Sequence, residues 1–149
     1  MSNLIKMVLE EGAKKPWRAT EGSAGFDLFS CESKIIGSRE TAQIDTGVRL
    51  QIPVNVFGNI RSRSGLAKNH SIWAFNGVID SDYRGTIKIL LINHGKNNSV
   101  VESGMRIAQI LFTRVECVEI VKDENLDDTQ RSVNGWGHSG MNGPDNSTK

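Results

Sequence analysis

Thr86-Ile87-Lys88-Ile89-Leu90-Leu91-Ile92-Asn93 is the stretch that decides the fold. In an extended chain Ile87, Ile89 and Leu91 lie on one face, and Leu90 and Ile92 on the other. A strand apolar on both faces is predicted to be buried between two layers. Downstream, Gly95-Lys96-Asn97-Asn98 makes a polar turn before Ser99-Val100-Val101. Similar short apolar runs at residues 4–9, 42–51, 56–61, 72–75 and 106–116 are predicted strands. The 15 glycines spaced between such runs supply the tight turns. Only residues 64–69 read as a helical turn, so the predicted class is all-β, a sandwich.

A chain of 149 residues has room for one core of useful size, not two. With 38% hydrophobic and 23% charged residues the composition is that of a globular protein. Eighteen basic residues against seventeen acidic give a charge of +1, which argues against non-specific binding to nucleic acid or to a membrane surface. Cys31 and Cys117 form no C-x-x-C motif and fit a reducing compartment. No signal-peptide pattern opens the chain, and the longest apolar runs, such as residues 89–92, are too short to span a bilayer. The expectation is a soluble intracellular protein, cytoplasmic or nuclear.

Four clusters suggest chemistry, and each has a plainer reading. Residues 131–149 hold only Val133, Trp136 and Met141 as clearly apolar side chains, too few to fold alone. Within them, residues 135–140 spell G-x-G-x-x-G, but nine residues including Pro144 follow, and no βαβ unit can form. Glycine backbone at Gly137, with Arg131, His138 and Ser139, suits phosphate oxygens, while Trp136 offers a stacking face for a nucleobase. The alternative is a disordered terminus. Arg63, Ser64 and Gly65 suit a phosphate, or form an exposed strand end with solvated charges. In residues 76–85, Asp80 follows an apolar pair as a base for water would, or sits in a hairpin turn. Gln109 faces either solvent or a polar site. His70, His94 and His138 are too scattered for zinc, whereas magnesium on a polyphosphate needs only one or two carboxylates.

The order and spacing of these clusters carry more than each alone. Ala24-Gly25-Phe26-Asp27-Leu28, Arg63-Ser64-Gly65-Leu66-Ala67, the run from Gly77 to Gly85, Arg106-Ile107-Ala108-Gln109 and the tail from Arg131 to Gly140 resemble the five ordered motifs of the trimeric dUTPases. The resemblance implies a jelly-roll-like β-sandwich over residues 1–130 and a flexible arm, residues 131–149, that closes over the nucleotide. It implies a homotrimer with shared active sites that hydrolyses dUTP to dUMP and pyrophosphate, by attack of water on the α-phosphorus. Such activity keeps uracil out of DNA and supplies dUMP for thymidylate synthesis.

By the same resemblance Asp80 activates the water, and Asp27 helps hold Mg2+, largely through water. Arg63, Ser64, Gly65 and Gln109 bind phosphates, and Tyr83 floors the deoxyribose. Backbone at Gly77 and Ile79 reads the uracil edge. Arg131 reaches the γ-phosphate, Trp136 stacks on uracil, and Gly137, His138 and Ser139 complete the arm. The family arm usually reads Arg-Gly-x-x-Gly-Phe-Gly-Ser-Thr-Gly, so Ser132, Trp136, His138 and Ser139 depart from it. A deaminase on the same sandwich and a weakly catalytic binding protein are the competing readings. The hairpin with Asp80 and Tyr83 argues against the first, and the presence of Asp27, Asp80, Tyr83 and Arg131 against the second.

Overall fold

The computed structural model describes residues 4–136. The chain divides into two units, Met1–Cys117 and Val118–Lys149. The first carries β1 (Lys6–Leu9), β2 (Phe26–Phe29), β3 (Lys34–Ile36), β4 (Thr41–Asp45), β5 (Val48–Gln51) and β6 (Val56–Arg61). A seven-residue helix, α1 (Ser64–His70), leads to β7 (Ile72–Ala74), β8 (Val78–Ile79), β9 (Lys88–Asn93), β10 (Ser99–Val101) and β11 (Arg106–Arg114). One sheet has the order β2-β11-β6-β8 and another β4-β9-β7, with β1-β5 and β10-β3 as two-stranded ribbons. All pairings are antiparallel. Leu28, Ile60 and Ile110 from the first sheet join Ile44, Ile72, Ile89 and Leu91 from the second in one hydrophobic core. Truncating any of these to alanine costs about 2–5 kcal/mol.

The run at residues 42–51 breaks in two. Gly47 takes φ +63°, and a Cβ there would meet that of Ala13 at 2.5 Å. Asp45 Oδ1 accepts the Gly47 N–H (2.9 Å), and the buried Thr46 hydroxyl donates to the Ile87 carbonyl (2.7 Å). The expectation that β9 is covered on both faces holds for one face only. Ile87, Ile89 and Leu91 are buried, but Leu90 is 39% exposed and Trp73 on the neighbouring strand 49%. No layer of the first unit lies over that side. Asn93 ends β9 fully buried, donating to the carbonyls of Ile36, Gly37 and Asn97 and accepting the Gly95 N–H. This one side chain ties the following turn to the core.

A bulge between Arg106 and Ala108 interrupts the β11–β2 register. It turns two consecutive side chains, Ile107 and Ala108, into the core. Arg106 and Gln109 are left on the outer side, where both approach Asp27 of β2. The second unit has neither helix nor strand among its described residues. A turn organises it locally: Arg131 Nε donates to the Asn134 carbonyl (3.0 Å), and Ser132 takes φ +45°.

Candidate active site

Asp27 sits mid-strand on β2, its neighbour Leu28 wholly buried, so alternation sends its carboxylate outward. Both oxygens are occupied. Arg63 Nε donates to Oδ1 at 3.0 Å, and Arg106 Nη1 donates to Oδ2 at 3.1 Å. Arg63 Nη1 also donates to the Arg106 carbonyl (3.1 Å). Of the five guanidinium N–H groups of Arg63, three remain for a ligand. One carboxylate between two guanidiniums leaves the site with an excess of positive charge.

Ser64 and Gly65 follow Arg63 into α1, a helix with no acidic residue in its first turn. The loop entering it is held by Ser62, whose hydroxyl donates to the Ala74 carbonyl and accepts the Ala74 N–H, both at 2.9 Å. Gln109 Nε2 donates to the Ser62 carbonyl (3.0 Å). Its amide fits because residue 25 is glycine: a Cβ there would stand 2.7 Å from Gln109 Oε1 and 3.2 Å from Leu111 Cδ1. Asp27, Arg63, Ser64, Gly65 and Gln109 thus line one open cleft of about 340 Å³, with Trp17 on its wall. Such a polar, cationic arrangement is chemically suited to an anion of several oxygens.

Gly77, Ile79, Asp80 and Tyr83 gather elsewhere. The Gly77 carbonyl accepts the Ile60 N–H (2.9 Å), and Ile79 registers with Gly58. Beyond β8, the Tyr83 N–H donates to the Asp80 carbonyl (3.2 Å) and the Tyr83 hydroxyl to the Thr86 carbonyl (3.1 Å). The ring lies so close over Gly85 that a Cβ there would be 2.6 Å from Tyr83 Cζ. Arg84 braces the turn through the Ser81 and Tyr83 carbonyls. Asp80 and Tyr83 are exposed. The hairpin reading of this segment needs correction, because β8 pairs with β6 and not with β9.

Within one chain the two groups do not meet. Asp27 registers with Gln109 and Gln109 with Arg61 at the far end of β6, whereas Asp80 follows Ile79 opposite Gly58. Three strand spacings across the sheet and the offset along β6 put roughly 20 Å between them. Arg131 and Trp136 belong to the second unit. Gly137, His138 and Ser139 lie outside the described residues. Sequence reasoning assigned no role to Arg106 or to Trp17, whose ring centroid is 5.3 Å from the Arg106 guanidinium. Arg106 opens the fourth of the ordered motifs, but its place beside Asp27 and Trp17 emerges only once the strands pair, and no local pattern shows it.

The dUTPase family model matches residues 11–140. The deoxyuridine 5'-triphosphate nucleotidohydrolase of Clostridium acetobutylicum is 42% identical over 143 residues, covering 95% of this chain and 99% of that one. That of Yaba monkey tumor virus is 43% identical over 143 residues, covering 95% and 100%. Among solved structures, a dUTPase of Staphylococcus bacteriophage 80alpha with dUpNHpp superposes with a TM-score of 0.89 at 25% identity, covering 94% of this chain and all of that one. The sheets described above are thus a jelly-roll fold, and the residues flanking Asp27 and Asp80 stand in matched sequence. On these grounds the chain belongs to the dUTPase family.

Proposed function

We propose that this protein hydrolyses dUTP to dUMP and pyrophosphate, limiting uracil in DNA and supplying dUMP for thymidylate synthesis. The observation that carries the reading is the Asp27-centred pair of guanidiniums lining an anion cleft in a chain of the dUTPase family. Arg63, Ser64, Gly65 and Gln109 bind the phosphate chain there, and catalysis rests on positioning and charge neutralisation. Asp80 orients and deprotonates the attacking water. Tyr83 lies beneath the deoxyribose, and the backbone at Gly77 and Ile79 reads the uracil edge. The roughly 20 Å between the halves supports a homotrimer in which each site joins the cleft of one copy to the Asp80–Tyr83 turn of another.

Residues 131–149 serve as an arm over the nucleotide. Arg131 reaches the γ-phosphate and Trp136 stacks on the base. Gly137, His138 and Ser139 donate to phosphates. Closure shields the reacting atoms from bulk water.

The residues fit magnesium in one form. Among the described residues no three His, Cys, Asp or Glu side chains cluster to hold an ion, and both Asp27 oxygens already accept N–H groups. Asp27 is suited to reach, through water, an ion whose other ligands are phosphate oxygens. When bound, magnesium neutralises charge on the triphosphate.

No helix among the described residues is long and apolar enough to cross a membrane, and Cys31 and Cys117 are unpaired, in accord with a soluble enzyme of a reducing compartment.

The deciding experiment incubates the protein and magnesium with dUTP, dCTP, UTP or dTTP, assaying pyrophosphate and ammonia separately. Pyrophosphate from dUTP alone is expected. Ammonia from dCTP, or no product from a folded trimer, overturns the reading.

A further inference from the structure

Trp17 belongs to no strand and is 46% exposed, yet its backbone is fixed. Its N–H donates to the Asp27 carbonyl (3.0 Å) and its carbonyl accepts the Asp27 N–H (2.7 Å), an isolated antiparallel bridge. On either side of it, Lys14 Nζ stands 5.6 Å from the Phe29 ring centroid, and the Arg18 guanidinium 5.7 Å from that of Phe26. The segment from Lys14 to Arg18 is therefore strapped along β2 in a single register. That register sets the indole beside Arg106, with the guanidinium carbon 5.3 Å from the ring centroid.

Arg106 needs such a support. Its side chain is 42% exposed, and an ion pair with that exposure is weak when solvent can reorder the longer partner. An aromatic face on one side and Asp27 Oδ2 on the other remove most of that freedom. Asp27 in turn fixes Arg63 through Oδ1, and the Arg106 carbonyl fixes Nη1 of the same guanidinium. The line of contacts runs from the indole to the N–H groups that face the cleft.

We propose that Trp17 is a positioning residue for phosphate binding, holding Arg106 so that Asp27 and Arg63 are set for a polyphosphate before it arrives. The proposal rests on the reading that this cleft takes the phosphate chain of the substrate. Preset donors serve ground state and transition state alike, so the effect falls on KM and not on kcat.

The test uses the full chain and the variants Trp17→Ala, Trp17→Phe and Trp17→Leu. With dUTP and magnesium, Trp17→Ala is expected to raise KM about tenfold and leave kcat within about twofold, the scale of one cation–π contact. Trp17→Phe restores most of the loss and Trp17→Leu, which fills space without a π face, does not. Independently of turnover, titration with inorganic tripolyphosphate followed by the Nε–H NMR signals of Arg63 and Arg106 should show the same order of affinities. In the free protein the Arg106 signal loses its ring-current shift in the Ala and Leu variants. Unchanged KM and tripolyphosphate affinity in Trp17→Ala overturns the proposal, as does equal rescue by Leu and Phe. A wild-type chain that binds tripolyphosphate in a Trp17-dependent way but turns over no dUTP sinks the proposed activity and leaves this inference standing. If Trp17→Ala fails to fold, the contrast between Phe and Leu decides alone.

Discussion

Arg106 and Asp27, 79 residues apart in the chain, meet across the β11–β2 pair with Nη1 3.1 Å from Oδ2. The bulge next to Arg106 is what allows it. With regular alternation Arg106 and Gln109 would leave the strand on opposite faces, and only one of them would stand on the same side as the Asp27 carboxylate.

The first prediction concerns the shared carboxylate. Asp27→Asn keeps the shape but removes the charge that both guanidiniums use. Losing a charge-assisted bond of about 1.5–3 kcal/mol should lower kcat/KM by about ten- to a hundredfold. Adding Arg106→Leu should cost little more, because the two residues act as a unit. Steady-state kinetics on the double-mutant cycle checks this, and fully additive losses would refute it.

Gly25→Ala tests the fit beneath Gln109. The new methyl would lie 2.7 Å from Gln109 Oε1 and 3.2 Å from Leu111 Cδ1. Overpacking should cost about 1–3 kcal/mol of stability, read from the urea midpoint. The Gln109 amide should leave the Ser62 carbonyl, raising KM for dUTP. A variant with unchanged midpoint and KM would show that the loop gives way freely.

For the half that carries Asp80, Asp80→Asn should nearly abolish turnover while nucleotide binding, followed by calorimetry, stays within about threefold of wild type. Removing residues 131–149 should leave a folded assembly with severely reduced activity. Full activity in either variant would strip the altered group of its proposed role.

The two cysteines should differ sharply. The Cys31 thiol is pushed above its ordinary value of 9.0, by burial first and by the Asp45 and Glu32 carboxylates next. Cys117 is exposed. A thiol reagent at neutral pH should modify Cys117 rapidly and Cys31 slowly, with both reacting fast in guanidinium. A folded thiol with a raised pKa contributes stability below pH 9 that is lost as pH rises through the folded value. The urea midpoint should therefore fall above that pH in wild type and less in Cys31→Ala. Equal reaction rates for the two thiols in the folded protein would contradict the shift.

Much of this architecture was legible in residue order. The run at 56–61 is β6 to the residue, and those at 86–93 and 106–116 contain β9 and β11. Strands of four residues or fewer were harder. Neither β2 nor β3 had been expected, because Phe26-Asp27-Leu28-Phe29 and Lys34-Ile35-Ile36 are too short to establish a period against their neighbours. The outer face of β9 misled for a related reason: apolar residues such as Leu90 say that a face avoids water, not which molecule covers it. At the site, Asp27, Arg63 and Gln109 were legible through ordered motifs. Arg106 stands in one of those motifs too, but its contact with Trp17 was not legible, since a guanidinium on an indole 89 positions away leaves no trace in local spacing.

Placing Asp27 and Asp80 far apart on one sheet has a consequence for inheritance. In a homotrimer that assembles each site across copies, an allele damaged at Asp27 would still donate a sound Asp80 turn, and one damaged at Asp80 would still donate a sound cleft. Cells carrying both alleles regain some complete sites, whereas cells carrying two lesions in the same half regain none. One gene would then behave in crosses as two complementation groups, with the boundary drawn by strand pairing.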